Sequence, residues 1–297
     1  EIGSGLVGSE MCIRDRSIDI MTKRAYALDA LRGYAIITMV LSATVAWNSL
    51  PGWMYHAQTP PPDRAFDASL SGITWVDLVF PFFLFAMGAA FPFSIKKRFE
   101  KGDTKLRLVY EAIKRGVQLT FFAIFIQHFY PYMLSSPQDM RAWLLAILCF
   151  AVLFPMFMRI PLKMPDWAHI SIKVGAYIVA AIMLATTSYA DGKTFSLFSS
   201  NIIILLLANM AIFGSILYIF TMHNRWMRLG ILILLMAMIL GSTVDSSWTQ
   251  SVFNYTPLPW MYRFDYLKYL FIVIPGSIAG EYLAEWMKAF QKETDDY

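Results

Sequence analysis

Residues 72–94 read GITWVDLVFPFFLFAMGAAFPFS. The run is apolar, long enough to cross a membrane, and carries one carboxylate, Asp77, about a turn and a half inside its start. A hydrocarbon core of roughly 30 Å asks for about 20 apolar residues in a helix. Lipid offers no partners to backbone N–H and C=O groups, so only helices and closed barrels cross it, and barrel strands are shorter than this run. The stretch therefore predicts a transmembrane helix. An ionisable side chain inside one is costly and faces a partner or a cavity, which makes Asp77 a candidate functional residue.

The same reading extends along the chain. Of 297 residues, 57% are hydrophobic and 15% charged, against roughly 45–50% and 25% in soluble domains. Apolar stretches near 31–48, 73–95, 115–134, 142–159, 170–189, 200–221, 228–245 and 266–285 predict an all-α, polytopic membrane protein of about eight transmembrane helices. Trp and Tyr cluster at the span ends, where amphipathic rings suit the interface. Basic residues are distributed between spans instead of forming one patch, so no nucleic-acid partner is expected. Cys12 and Cys149 offer no disulfide framework, and the four histidines are too scattered for a metal site. Residues 1–20, EIGSGLVGSEMCIRDRSIDI, have no apolar h-region or cleavage site. They read as a non-native leader, with Met21 as the native start and 21–297 as a single transmembrane domain.

Lysine and arginine set the orientation, because cytoplasmic loops carry the excess. With Met21 to Leu31 inside, the cytoplasmic side holds Lys23, Arg24, Arg32, the cluster from Lys96 to Arg115, Arg159, Lys163, Lys173, Arg225, Arg228, Lys288 and Lys292; the outer side holds Arg64, Arg141, Lys193, Arg263 and Lys268. That is 18 against 5, so both termini are expected in the cytoplasm and the loop from Asn48 to Ser71 outside. The prolines of that loop stiffen it against helix. The break expected in the eighth span is Pro275, followed by Gly276 and Gly280, small residues that permit close helix contact and a homodimer. Gln127, His128 and Asn209 read as packing residues.

Three groups carry chemistry. Asp29 and Arg32 are three apart, so they share a helix face and can pair; Arg32 could equally hold a phosphate. His56 is the one histidine in the aromatic, proline-rich outer loop. An imidazole titrating near 6.5 suits a general base, and an aspartate within reach can orient it. The basic loop with Lys96, Lys97 and Arg98, leading to Arg115, reads either as the positive-inside signal or as a seat for a nucleotide phosphate.

The motifs ALDALRG from residue 27, YHA at 55–57 and GITWVDLVFPFFLFAMG from residue 72 resemble the catalytic membrane domain of heparan-α-glucosaminide N-acetyltransferase and its bacterial relatives. The resemblance runs from Ala27 to Ser94 and, more loosely, to about Glu285. It implies transfer of an acetyl group from cytosolic acetyl-CoA, as co-substrate, to a terminal amino sugar on the far side of a membrane. His56 would match the catalytic histidine and Asp77 the motif aspartate. The CoA nucleotide would lie near Arg32, Asp29, Lys96, Lys97, Arg98 and Arg115. The resemblance also implies a bacterial inner-membrane location and, with about ten spans in the family core, a chain open at its C-terminus. Two other classes stay open: an O-acyltransferase of surface polysaccharide, whose LDxLRG start is shared, and a glycan transporter or flippase using His56 and Asp77 as a substrate or proton site. A catalytically degenerate relative is a further alternative.

Overall fold

The computed structural model describes residues 25–44, 49–60, 63, 65–67, 69–158 and 165–295. The expected leader and Met21 lie outside the described residues, as do Lys23, Arg24, Arg64, Arg159 and Lys163 among the topology markers. Eight long helices run through the described chain: α1 (Tyr26–Thr44), α2 (Trp75–Ala89), α3 (Lys105–His128), α4 (Met140–Phe157), α5 (Asp166–Thr186), α6 (Ile202–Thr221), α7 (Arg225–Gly241) and α8 (Leu270–Asp295). No strand occurs among the described residues. Each expected span overlaps one of these helices. Five segments, Trp75–Glu100, Met140–Phe157, Asp166–Thr186, Ile202–Thr221 and Phe264–Phe290, are long and apolar enough to cross a membrane. The protein is an all-α, multi-pass membrane protein.

Two compact units are present, one of the described residues in Glu1–Val109, Gly214–Met236 and Lys268–Tyr297, the other Tyr110–Phe213 and Ala237–Leu267. In the first, α2 is the central element. It runs parallel to α8: Phe80 meets Tyr269 with ring centroids 5.8 Å apart, and deeper along both helices Gly276 lies on the backbone of Phe85 and Gly280 on that of Ala89. A Cβ at Gly88, Gly276 or Gly280 would collide with backbone of the facing helix. These glycines let the two backbones touch, which is how helices gain packing energy in lipid. The small-residue face read as a route to a homodimer is therefore occupied by α2 of the same chain.

The expected break at Pro275 does not form; α8 continues through it. Proline forfeits one i→i−4 hydrogen bond, and here close contact with α2 holds the helix together on both sides of the gap. Beyond α2 the helix widens into a π-turn, Pro92–Lys96, then a last turn, Lys97–Glu100.

In the second unit, Phe125, Phe129, Leu153, Met156 and Met183 belong to one core formed by α3, α4 and α5. His128 is buried in this unit, its Nδ1 2.8 Å from Ile124 O and its Nε2 accepting the Ser196 N–H at 3.3 Å. Asn209 is buried too, donating to Leu205 O and Met261 O at 2.9 Å each. Both are the packing residues that the sequence suggests.

Candidate active site

The start of α2 builds the site. Gly72 has φ +147°, a conformation that side chains rarely adopt, and a Cβ there would press on Ala57 Cβ at 3.3 Å. Its carbonyl accepts from Gln58 Nε2 at 3.2 Å, as does that of Leu70. The chain then extends through Thr74, the N-cap, and α2 begins at Trp75. Asp77 is thus the third residue of the helix. The deeper position expected from the apolar run is corrected to the first turn, about 3 Å along the axis by helical rise. The physical reason is that residues 72–74 leave the helix to make the cap.

Asp77 serves two neighbours. Its Oδ2 accepts the Thr74 backbone N–H at 2.8 Å and lies 2.9 Å from the Thr74 hydroxyl, closing a reciprocal cap. Its Oδ1 pairs with His56 Nδ1. The Thr74 hydroxyl also reaches Tyr55 O at 2.6 Å, which fixes the residue before His56 to the helix start. From the other side the His56 carbonyl accepts from Thr59 N at 3.0 Å and Thr59 Oγ1 at 2.9 Å. Asp67, further along the loop, accepts from Ser69 Oγ at 2.6 Å and Ser69 N at 2.9 Å; these hydrogen bonds hold its carboxyl below the usual carboxylate range. The loop is therefore tied at several points, and His56 is presented from a fixed backbone.

The His56 side chain is 55% exposed and that of Asp77 21%. With Nδ1–H donated to the carboxylate, Nε2 carries the lone pair and faces outward. This is the tautomer a general base requires. Beside it, Trp75 donates from Nε1 to Tyr34 Oη at 2.8 Å and meets Trp53 edge-on at 6.3 Å, so the start of α2 is braced by aromatic rings.

The remaining expected residues separate. Arg32 lies 3.8 Å from Asp29, the i,i+3 pair, and also donates to Ala86 O at 3.4 Å, pinning α1 to α2. Lys96 and Lys97 line a cleft of about 330 Å³ with Glu100, Glu281, Glu285 and Lys288. Arg98 is instead engaged by Asp103 at 2.8 Å, and Arg107 joins that carboxylate at 3.0 Å, so this pair ties the turn after α2. Arg115 is exposed on α3, in the other unit. Within the first unit the structure thus brings together His56 with Asp77, Lys96 with Lys97, and Asp29 with Arg32, while Arg98 is taken up by Asp103.

The chain matches the family model described as Domain of unknown function (DUF5009) over residues 24–283. It belongs to this family. No curated protein and no solved structure matches it.

One group in this DUF5009 chain escaped sequence reasoning. Arg228 is fully buried, and donates to Glu281 Oε1 at 2.8 Å, Ser277 Oγ at 2.9 Å, Thr221 Oγ1 at 3.2 Å and Thr221 O at 3.0 Å. Glu281 also accepts from Arg225 at 2.7 Å, and Arg225 pairs in turn with Glu285. The signal was present as spacing: Arg225 and Arg228 are three apart, Glu281 and Glu285 four apart, so each pair shares a helix face. Glu281 and Glu285 border the lysine cleft, so its floor is electrostatically set by this network.

Proposed function

We propose that this chain is a membrane-bound acyltransferase of the bacterial inner membrane, with both termini in the cytoplasm, that moves an acetyl group from acetyl-CoA to an amino sugar or glycan on the outer side. The observation that carries the reading is the exposed His56 imidazole, held at Nδ1 by Asp77, which the helix cap at Thr74 holds in turn. In this reading the acceptor amine meets His56 Nε2. As the amine nitrogen attacks the thioester carbonyl, a C–N bond forms, His56 takes the proton, the C–S bond breaks, and the proton passes to the departing thiolate of CoA. Asp77 stabilises the imidazolium in between. Proximity and general-base help are each worth several orders of magnitude in rate.

Lys96 and Lys97 would hold the phosphates of the nucleotide, since ammonium groups bind polyanions well. Lys96 lies 19 residues beyond Asp77 and Lys97 follows it, about 28 Å along the chain by helical rise. The long pantetheine arm of the carrier would span that length through the interior.

The test uses full-length protein in detergent with radiolabelled acetyl-CoA and a panel of glucosamine-terminated sugars. Labelled sugar with wild type and none with His56→Ala is the expected result. CoA binding without transfer would move the reading to another acceptor or acyl group. Neither binding nor transfer would sink the enzyme reading in favour of glycan transport.

A further inference from the structure

The cleft at the far end of the Trp75–Glu100 span carries as many acids as bases along its lining. It lies within the first unit, between the turns that follow α2 and the last turns of α8. Lys96, Lys97 and Glu100 come from those turns. Glu281, Glu285 and Lys288 come from α8, where their spacing puts them on one helix face. Three ammonium groups against three carboxylates leave the lining neutral. Such a lining gives a phosphate no electrostatic reason to settle there.

Charges beside the lining decide its sign. Arg225 and Arg228, at the start of α7, are not among the lining residues, yet both bear on its acids. Arg228, fully buried, donates to Glu281 Oε1 at 2.8 Å. Arg225 donates from Nε to Glu281 Oε2 at 2.7 Å and pairs through Nη2 with Glu285. Its guanidinium also lies over the Tyr282 ring, 4.2 Å from the centroid, so two carboxylates and a ring fix its place. Glu281 is thus engaged on both oxygens and Glu285 on one. Counted with the two arginines, the three lysines outnumber the three carboxylates by two. Fixed charges behind a low-dielectric wall still set the potential in the cleft.

We propose that Arg225 makes this cleft an anion seat: by holding Glu281 and Glu285 it leaves Lys96, Lys97 and Lys288 as the charges that a nucleotide's phosphates meet. For the identity of the ligand this rests on the acyl-CoA reading above. The diphosphate lies between Lys96 and Lys97 on one wall and Lys288 on the other. Arg225 touches no phosphate; it is a positioning residue that acts through two carboxylates. With its side chain 30% exposed, it can be replaced at less cost than the buried Arg228.

The experiment is isothermal titration calorimetry of the full chain in nonionic detergent, with CoA and with inorganic diphosphate as probes. Arg225→Gln uncovers a carboxylate, a change of one unit charge beside the phosphates, and should weaken CoA binding about tenfold. Lys288→Gln should weaken it by a similar factor. Glu285→Gln removes a more exposed, better screened charge and should tighten binding about threefold. The double variant Arg225→Gln, Glu285→Gln restores the balance of charge and should bind near wild type. A purely structural arginine would give neither the tightening nor the rescue. Unchanged binding in Arg225→Gln would overturn the proposal, as would a double variant no better than the single one at equal thermal midpoints. If Arg225→Gln does not fold, the opposite effects of Glu285→Gln and Lys288→Gln carry the test, and equal effects of the two overturn it. CoA binding that no variant alters would sink this seat and leave the acyl-CoA reading standing. The same ranking with inorganic diphosphate, without CoA binding, would keep the seat and sink that reading.

Discussion

At the scale of single residues, Asp77 does two jobs that a substitution can separate. Its Oδ2 completes the cap of α2 and its Oδ1 orients His56. Asparagine keeps an acceptor for the Thr74 N–H but gives up the charge that stabilises an imidazolium. Asp77→Asn is therefore expected to keep the thermal midpoint near wild type while acetyl transfer falls by about 10²–10⁴-fold, the range of general-base help. Equal loss of folding and activity would reduce Asp77 to a cap. The sequence singled out His56 and Asp77 as a loop histidine and a carboxylate inside the following span, but it set Asp77 deeper than the first turn where the structure pairs the two. The cap itself was not read, since Thr74 looks like the first residue of an apolar run and only its backbone geometry distinguishes it. Arg228 and Glu281 were obscured for another reason. Arg228 stands in the first turns of α7 and Glu281 near the end of the expected eighth apolar stretch, where charge is expected anyway, and burial is a property of the packed helices. A buried pair is costly to break because the surviving charge stays desolvated. Arg228→Met should lower stability by about 3–5 kcal/mol, and adding Glu281→Met should recover most of that loss, read as detergent unfolding midpoints. A double variant no better than the single one would show that Ser277 and Thr221 matter more than the ion pair.

The helices themselves were the easiest level to read. Length and apolarity fix where a chain enters and leaves lipid, and each of the eight expected stretches overlaps a long helix. What resisted was local geometry: the π-turn at Pro92–Lys96 and the unbroken passage of α8 through Pro275. Both depend on which neighbour meets the weakened hydrogen-bond ladder, and no spacing rule reports that. The Gly276 and Gly280 spacing did announce close contact, but not with whom. Because the partner is α2, substitutions here act on the same helix that carries Asp77. Gly276→Leu forces the backbones of α2 and α8 apart, and overpacking of this kind costs about 1–3 kcal/mol or more. Gly230→Ala is the control: a Cβ there meets nothing within 4 Å, and alanine in a helix interior gains about 0.5–1 kcal/mol over glycine. Unfolding midpoints should therefore fall for the first and hold or rise for the second. If both behaved alike, the crossing would not depend on glycine contact.

For the whole molecule, the deciding relation is between the two ends of the span Trp75–Glu100, which is α2 with the turns that follow it. The dyad stands at one end and the Lys96–Lys97 cleft at the other, about 28 Å apart by helical rise, close to the roughly 30 Å of a hydrocarbon core. A helix of that length leaves its termini on opposite faces, so a base acting on an external acceptor and a phosphate seat facing the cytosol can coexist on one element. In the proposed reading the excess of Lys and Arg on the Lys96 side would put that side in the cytoplasm. The assignment can be checked without any substrate. In a background of Cys12→Ser and Cys149→Ala, a membrane-impermeant maleimide added to intact cells should label Ser69→Cys, in the exposed loop beside the dyad, and spare Lys101→Cys, exposed just beyond the cleft. In inverted vesicles the pattern should reverse. Labelling of both from one side would place the two ends of the Trp75–Glu100 span on the same face. A carrier held at the cleft would then have no membrane to reach across, and the transmembrane part of the proposed reaction would fall even if acetyl transfer itself were observed.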